Sequence, residues 1–476
     1  MHGRSTDPTR GRSRQLGLLS IAAAAVLVVS ACSGAAPTAS PAAPASAAAT
    51  AAASAAAAGA STAAATAVGS PIKIGILTTC GGPFVSFEAE SFSGAKYGLI
   101  KFAGGTAAGQ NPEDQVTGAS VDGHAIQIYF GCSDATPDVA VAQARQLVEG
   151  QKVDILLGPL SGDEGVAVAN YAKTQPNVTF VNGTSGAQST TLAVKAPNFF
   201  RFGGDGAQWM AGLGTYAYKT LGWRKVAILG EDYSYPYTQA AGFVAEFCSL
   251  GGKIPQRTWV PLGVSDYSSY VAQLPRDVDG ILLLTGGTDT IAAEKSYLQL
   301  GGNPGKKMLG GSSVMDPTSF GVGDSLVGLV GGSPVPLGGT SPEWADYVNG
   351  FLSVYPKVPA DSLFTVLYYD GMQAIIQALQ KVNGDLSNGE TAFRAALTNL
   401  NPTFPNGSVT LDANRNSIQP AYVVQIVKTS SGLGFKVLET VKDVSQTFGG
   451  LFGPNSPTPS RTQPACTAGN PPPWAK

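Results

Sequence analysis

The sequence predicts an α/β protein with mainly parallel sheets. Short apolar runs of strand length alternate with longer segments of helical period, and the runs end in small polar loops. The clearest case is residues 153–188, where the run 153–157 breaks at Gly158-Pro159 and gives way to Ser161-Gly162-Asp163. An Ala/Val-rich helical segment follows, then the run 178–181 and the loop Asn182-Gly183-Thr184-Ser185-Gly186. Both loops leave the carboxyl ends of parallel strands, where open α/β sheets bind ligands. A helix starting directly after such a loop directs unpaired N–H groups into the crevice, a place suited to a carboxylate or another anion.

The first 31 residues read as an address. Arg4, Arg10, Arg12 and Arg14 precede an apolar segment, 16–29, too short to span a bilayer comfortably, and small residues follow. Val29-Ser30-Ala31-Cys32 resembles the bacterial lipobox, so 1–31 is expected to be a lipoprotein signal peptide and Cys32 the lipidated first residue of the mature chain. Residues 33–70 are almost wholly Ala, Ser, Thr, Pro and Gly with almost nothing to bury, so that 32–70 form a linker. An exported lipoprotein on the outer face of the cytoplasmic membrane is the expectation, tethered through lipid alone.

Residues 71–445 exceed what one hydrophobic core usually serves, which points to two domains. With 30 Lys and Arg against 32 Asp and Glu, and no basic stripe, nucleic acid is not an expected partner. The chain holds two histidines, His2 and His124, so a His-based metal site or a Ser-His-Asp triad would rest on His124, which sits in a turn. Residues 183–187 lack the last glycine of a nucleophile elbow, and 302–307 lack the first glycine and hydroxyl of a P-loop. Neither catalysis nor a cofactor or metal is expected.

Strands are expected at 72–77 and 126–130, with a helix at 137–149, ahead of the 153–188 unit. Beyond it come a strand at 225–230, the loop Glu231-Asp232-Tyr233-Ser234-Tyr235, a helix at 238–250, and strands at 258–261 and 280–284. Three stretches then carry a resemblance: GGPFVSFEAESFSGAKYGL, AVAQARQLVE before VDILLGPLSG, and GEDYSYPYTQAAGF. In order and spacing, over about residues 71–428, they resemble the leucine/isoleucine/valine-binding proteins, type I periplasmic substrate-binding proteins that serve ABC importers.

That resemblance implies two α/β lobes joined by three crossover strands, with a ligand in the cleft between them. Lobe one would be 71–202 and 312–409, lobe two 203–311 and 410–445, with helices at 342–355 and 362–381 in lobe one. Residues 407–412 and 421–427 would be a final crossing and an edge strand. From 446 to 476 the Pro/Ser-rich tail is expected to be disordered apart from whatever holds Cys466.

The resemblance also assigns a site. Phe87 falls where the family sets an aromatic ring against the ligand, and Leu160, Ser161 and Gly162 form the first carboxylate loop. Gly162 replaces the family's usual hydroxyl, so Ser161 or backbone N–H groups would do the holding. Gly183 and Ser185 match the second loop, Tyr235 the tyrosine that closes over the ligand, and Asp289 either an ammonium acceptor or a helix cap. The implied function is capture of an amino acid, amide or related carboxylate by a monomer that closes about its hinge and delivers to a membrane permease. A ligand-sensing module of the same fold is the alternative.

Cys80 and Cys132 follow strands placed at the same sheet edge, which suits a disulfide, and Cys248 then falls to Cys466. The other possibility is a free Cys466 with Cys248 buried and reduced.

Overall fold

The structure, a computed structural model, describes residues 69–453 and 455–475. The expected signal peptide, Cys32 and nearly all of the linker lie outside these residues.

The apolar runs become strands of two sheets. The first contains β1 (Ile72–Thr79), β2 (Ser120–Val121), β3 (His124–Ser133), β4 (Ile155–Leu157), β5 (Thr179–Val181) and β6 (Phe199–Phe200). Their order is β2-β3-β1-β4-β5-β6, parallel except at the β2 edge. Alternate side chains of these strands point to opposite faces. Ile155, Leu157 and Val181 pack with Phe92 and Leu99 of α1 (Glu88–Ala103). Leu156 and Phe180 pack instead with Ala140 and Ala144 of α2 (Pro137–Arg145) and Val168 of α3 (Gly162–Ala172).

The second sheet contains β7 (Val226–Glu231), β8 (Arg257–Val260), β9 (Gly280–Leu284), β10 (Met308–Gly310), β11 (Val330–Ser333), β12 (Thr410–Leu411), β13 (Ser417–Thr429) and β14 (Gly432–Val444). The order is β8-β7-β9-β10-β11-β13-β12, with β14 also on β13. One face carries Ile228, Leu282 and Leu284 against Phe243 and Phe247 of α4 (Ser234–Ser249). The other carries Leu229, Ile281 and Leu283 with Ala293 of α5 (Gly287–Gln299). Next come α6 (Pro342–Val354) and α7 (Leu363–Lys381), and α7 returns to the first lobe. There it packs against α1 so closely that a Cβ on Gly94 would lie 2.1 Å from the Thr365 carbonyl oxygen. The chain therefore crosses between sheets three times: after β6, after β11 and before β12.

The structure corrects the sequence reading in four places. β11 pairs with β10 and β13, so the second lobe runs on to Ser333 instead of ending near Gly311. The 421–427 strand lies inside β13, which has partners on both sides and is not an edge. The helix expected from residue 238 begins at Ser234, so Tyr235 stands in its first turn. The tail is ordered by packing: Phe448 and Phe452 are buried with Val441 and Val444, and the Trp474 ring meets Phe448 edge-on at 5.0 Å. Disulfides join Cys80 to Cys132 and Cys248 to Cys466.

Candidate functional site

The lobes meet along the carboxyl ends of both sheets. The turn Gly82–Phe87 after β1 supplies Phe84 and Phe87, the loop after β4 Leu160 and Ser161, and the loop after β5 Thr184. The other side receives Tyr233 and Tyr235 from the loop and first turn after β7, Ser313 from beyond β10, and Trp209 from the segment after the first crossing. Leu363 and Phe364, opening α7, complete the wall.

These side chains enclose a cavity of about 10 Å³, roughly the space one water requires. An organic ligand therefore enters only when the lobes part. The Phe87 and Phe364 rings stack at 3.6 Å, and Trp209 meets Tyr235 edge-on at 5.6 Å. The Trp209 indole N–H donates to the Gly203 carbonyl at 2.6 Å, which turns its apolar surface to the cavity.

The polar groups on this wall are hydroxyls. Tyr235 and Ser313 share a hydrogen bond of 3.0 Å, and the Thr184 hydroxyl donates to the Leu160 carbonyl at 3.2 Å. Ser161 is the N-cap of α3, and its backbone N–H donates to Glu164 at 2.9 Å. Its Oγ faces the Glu164 backbone N–H in return, completing a capping box at the helix N-terminus, where an incoming anion is favoured. Among the described residues no charged side chain lines the cavity. Burial raises the Tyr235 hydroxyl pKa and keeps the group neutral.

Of the residues expected from sequence, Phe87, Leu160, Ser161 and Tyr235 line the cavity. Gly162 lies at its rim, where α3 and α4 begin facing each other, and the Ser234 N–H donates to Asp163 across the cleft at 3.1 Å. Gly183 is wedged against Tyr368, its would-be Cβ 2.5 Å from the ring. The Ser185 Oγ turns toward Gly165 of α3, so Thr184 faces the cavity from this loop.

Asp289 accepts the Gly263 N–H at 2.8 Å and the Tyr267 hydroxyl at 3.2 Å, holding a loop of the second lobe away from the cavity. Burial raises its pKa. Nearby Glu231, whose pKa burial and the Asp289 charge push well above the usual carboxylate range, accepts the Gly286 N–H at 2.9 Å. The sequence reading had not singled out Phe84, Thr184, Trp209, Ser313 or Phe364. Phe84, Thr184 and Ser313 follow strand ends, a signal that could have found them, whereas Trp209 lies in a segment of short turns with no periodicity. Among the described residues the grouping closest to a metal site is Cys80, Glu88 and Cys132, and its cysteines are tied up in a disulfide.

The sequence matches the periplasmic binding protein family over residues 71–432. The chain belongs to that family. No curated protein sequence matches it significantly. Among solved structures, an ABC transporter substrate-binding protein from Sphaerobacter thermophilus is similar, with 23% identity, TM-score 0.68, and coverage of 78% of this chain and 98% of that one. A solute-binding protein of Rhodopseudomonas palustris HaA2 in complex with p-hydroxybenzoic acid gives 22%, 0.68, 79% and 98%. A leucine-binding protein of Thermotoga maritima gives 18%, 0.65, 78% and 99%. At these identities the likeness establishes a shared two-lobe α/β fold. Among the described residues no helix is long and apolar enough to cross a membrane.

Proposed function

We propose that this periplasmic binding protein captures a small, flat organic acid of the aromatic carboxylate class between its lobes and hands it, without chemistry, to the permease of an ABC importer. The observation that carries this reading is the cavity wall: six aromatic side chains, hydroxyls and no charged group. Aromatic rings prefer a flat apolar partner, and a carboxylate finds the N-terminus of α3, capped by the Ser161 hydroxyl on the cavity wall. An α-ammonium group would find no charged side chain on the cavity wall: Asp289 is held by Gly263 and Tyr267, and Glu231, whose Oε1 accepts the Gly286 N–H, is not among the wall residues and is pushed toward its neutral form by burial. Both lobes contribute to the wall, so a ligand binds the closed form better and shifts the hinge toward it. Lipid anchoring through Cys32 and a monomeric state complete the proposal.

Calorimetric titration of the purified protein with benzoate, 4-hydroxybenzoate, leucine, phenylalanine and urea tests it. An aromatic acid is expected to bind at micromolar or tighter affinity and the amino acids more weakly. Tighter binding of leucine or phenylalanine would restore the amino-acid reading, and turnover of an ester or amide panel would displace both. In the same assay Tyr235→Phe, which leaves a buried polar partner unpaired, is expected to weaken binding by about 1–3 kcal/mol. Ser185→Ala should bind within about twofold of wild type, since its hydroxyl faces Gly165.

A further inference from the structure

Behind the aromatic cavity three buried polar side chains meet across the lobes. Glu90 comes from α1 and Ser362 is the N-cap of α7, both in the first lobe, while Asp316 comes from the β10–β11 connection of the second. The Ser362 Oγ lies 2.9 Å from Glu90 Oε2 and 2.6 Å from Asp316 Oδ2, and accepts the Phe364 N–H at 3.1 Å. All three residues are at most 1% exposed.

A hydroxyl has one proton to donate and here faces two carboxyl oxygens. If both carboxyls were ionised, one contact would set lone pairs against each other in a dry site. The contact becomes a hydrogen bond when that carboxyl is protonated and donates to Oγ. The surroundings decide which one. Asp316 Oδ1 accepts both the Thr318 N–H, at 2.9 Å, and the Thr318 hydroxyl, at 2.6 Å, and the 2.6 Å bond from Ser362 suits an anionic acceptor. Glu90 Oε1 has no partner among the described residues. The arrangement is a relay in which the Glu90 acid donates to Ser362 and Ser362 donates to the Asp316 carboxylate.

We propose that Glu90, Ser362 and Asp316 form an interlobe latch that closes with the uptake of one proton, held on Glu90. They are positioning residues, since each stands next to the cavity wall. Glu90 follows Phe87 by one helical turn, Ser362 caps the helix that opens with Leu363 and Phe364, and Asp316 follows Ser313 by three residues. Parting the lobes draws Asp316 from Ser362 and admits water to Glu90, which then ionises in the ordinary range.

The charges facing the pair are acidic: Asp316 and Asp361 act on Glu90, and Asp361 on Asp316. Burial, the larger cause, pushes Glu90 well above the usual carboxylate range and Asp316 up to about 6. Closure raises the affinity of the latch for a proton. The closed form is therefore favoured at low pH and loses its advantage as pH rises toward the raised value.

Two measurements test the latch. Small-angle scattering of ligand-free protein from pH 6.5 to 8.5, above the range in which Asp316 titrates, should show the radius of gyration growing with pH, and Glu90→Gln should remove that dependence. Calorimetry with benzoate, in two buffers of different ionisation enthalpy, should show about one proton taken up and an affinity loss of about tenfold or more across that range. Glu90→Gln, whose amide can still donate to Ser362, should bind with no proton uptake and a flat profile, and Asp316→Asn should bind more weakly throughout. This calorimetry rests on the proposed ligand class, but the scattering does not, so failure of benzoate to bind leaves the latch testable. A pH-independent radius in wild type, or a Glu90→Gln variant that keeps the wild-type pH profile, would overturn it.

Discussion

Gly162→Val is expected to leave the protein folded and to reduce ligand affinity at least about tenfold, or about 1.4 kcal/mol. A Cβ on Gly162 would stand 2.7 Å from the Ser234 Oγ and 2.9 Å from both the Cβ and the backbone nitrogen of Tyr235. Ser234 could rotate aside, but the Tyr235 backbone belongs to the first turn of α4 and cannot. The collision lies between lobes, so it is relieved by parting them and not by disturbing either core. A bulky residue at 162 thus acts on the hinge equilibrium and lowers the population able to grip a ligand. Calorimetry reads the affinity loss, small-angle scattering a larger radius of gyration, and thermal unfolding a nearly unchanged midpoint. Gly162→Ala should fall between wild type and valine. Wild-type affinity in the valine variant would mean that the α3–α4 contact does not limit closure.

This position also shows how far the site could be read from sequence. The departure at 162 from the family's usual hydroxyl was visible, but its reason, the Tyr235 backbone arriving from the other lobe, is a tertiary fact. Strand ends were legible because apolar runs such as 153–157 and 280–284 stop at small polar residues, and the family resemblance then assigned Phe87, Leu160, Ser161 and Tyr235 beyond such ends. The direction of a side chain leaving such an end was not. Asp289 and Ser185 sit in the expected loops, yet packing turns one to Gly263 and Tyr267 and the other to Gly165. β11 escaped notice because its sequence, Val-Gly-Gly-Ser, has almost no β-signal and depends on partners on both sides. The tail was misjudged because composition weighs its many Pro, Ser and Gly residues, whereas order comes from a few anchors, Phe448, Phe452 and Trp474, joined by a disulfide.

That disulfide sets the largest expected effect on stability. Cys248→Ser combined with Cys466→Ser is expected to lower unfolding free energy by about 2–5 kcal/mol. The bond spans 218 residues, and the loop-closure entropy withheld from the unfolded chain grows with that span, to about 5 kcal/mol in the simplest treatment. The 52-residue Cys80–Cys132 loop gives about 4 kcal/mol on the same basis. The tail has further reason to depend on its bond. The Trp259 indole donates to the Arg461 carbonyl at 2.9 Å, and the Arg461 Nε donates to Asp232 at 2.7 Å. Such partly exposed contacts are individually weak and act together only while the tail is held in place. Asp232 adjoins Tyr233 of the cavity wall, so loss of the bond should also weaken ligand binding slightly. Urea unfolding of wild type and the double serine variant measures the stability difference, and limited proteolysis should cut the variant within 446–475 first. Equal midpoints and equal protease resistance would show that the aromatic anchors hold the tail without the disulfide.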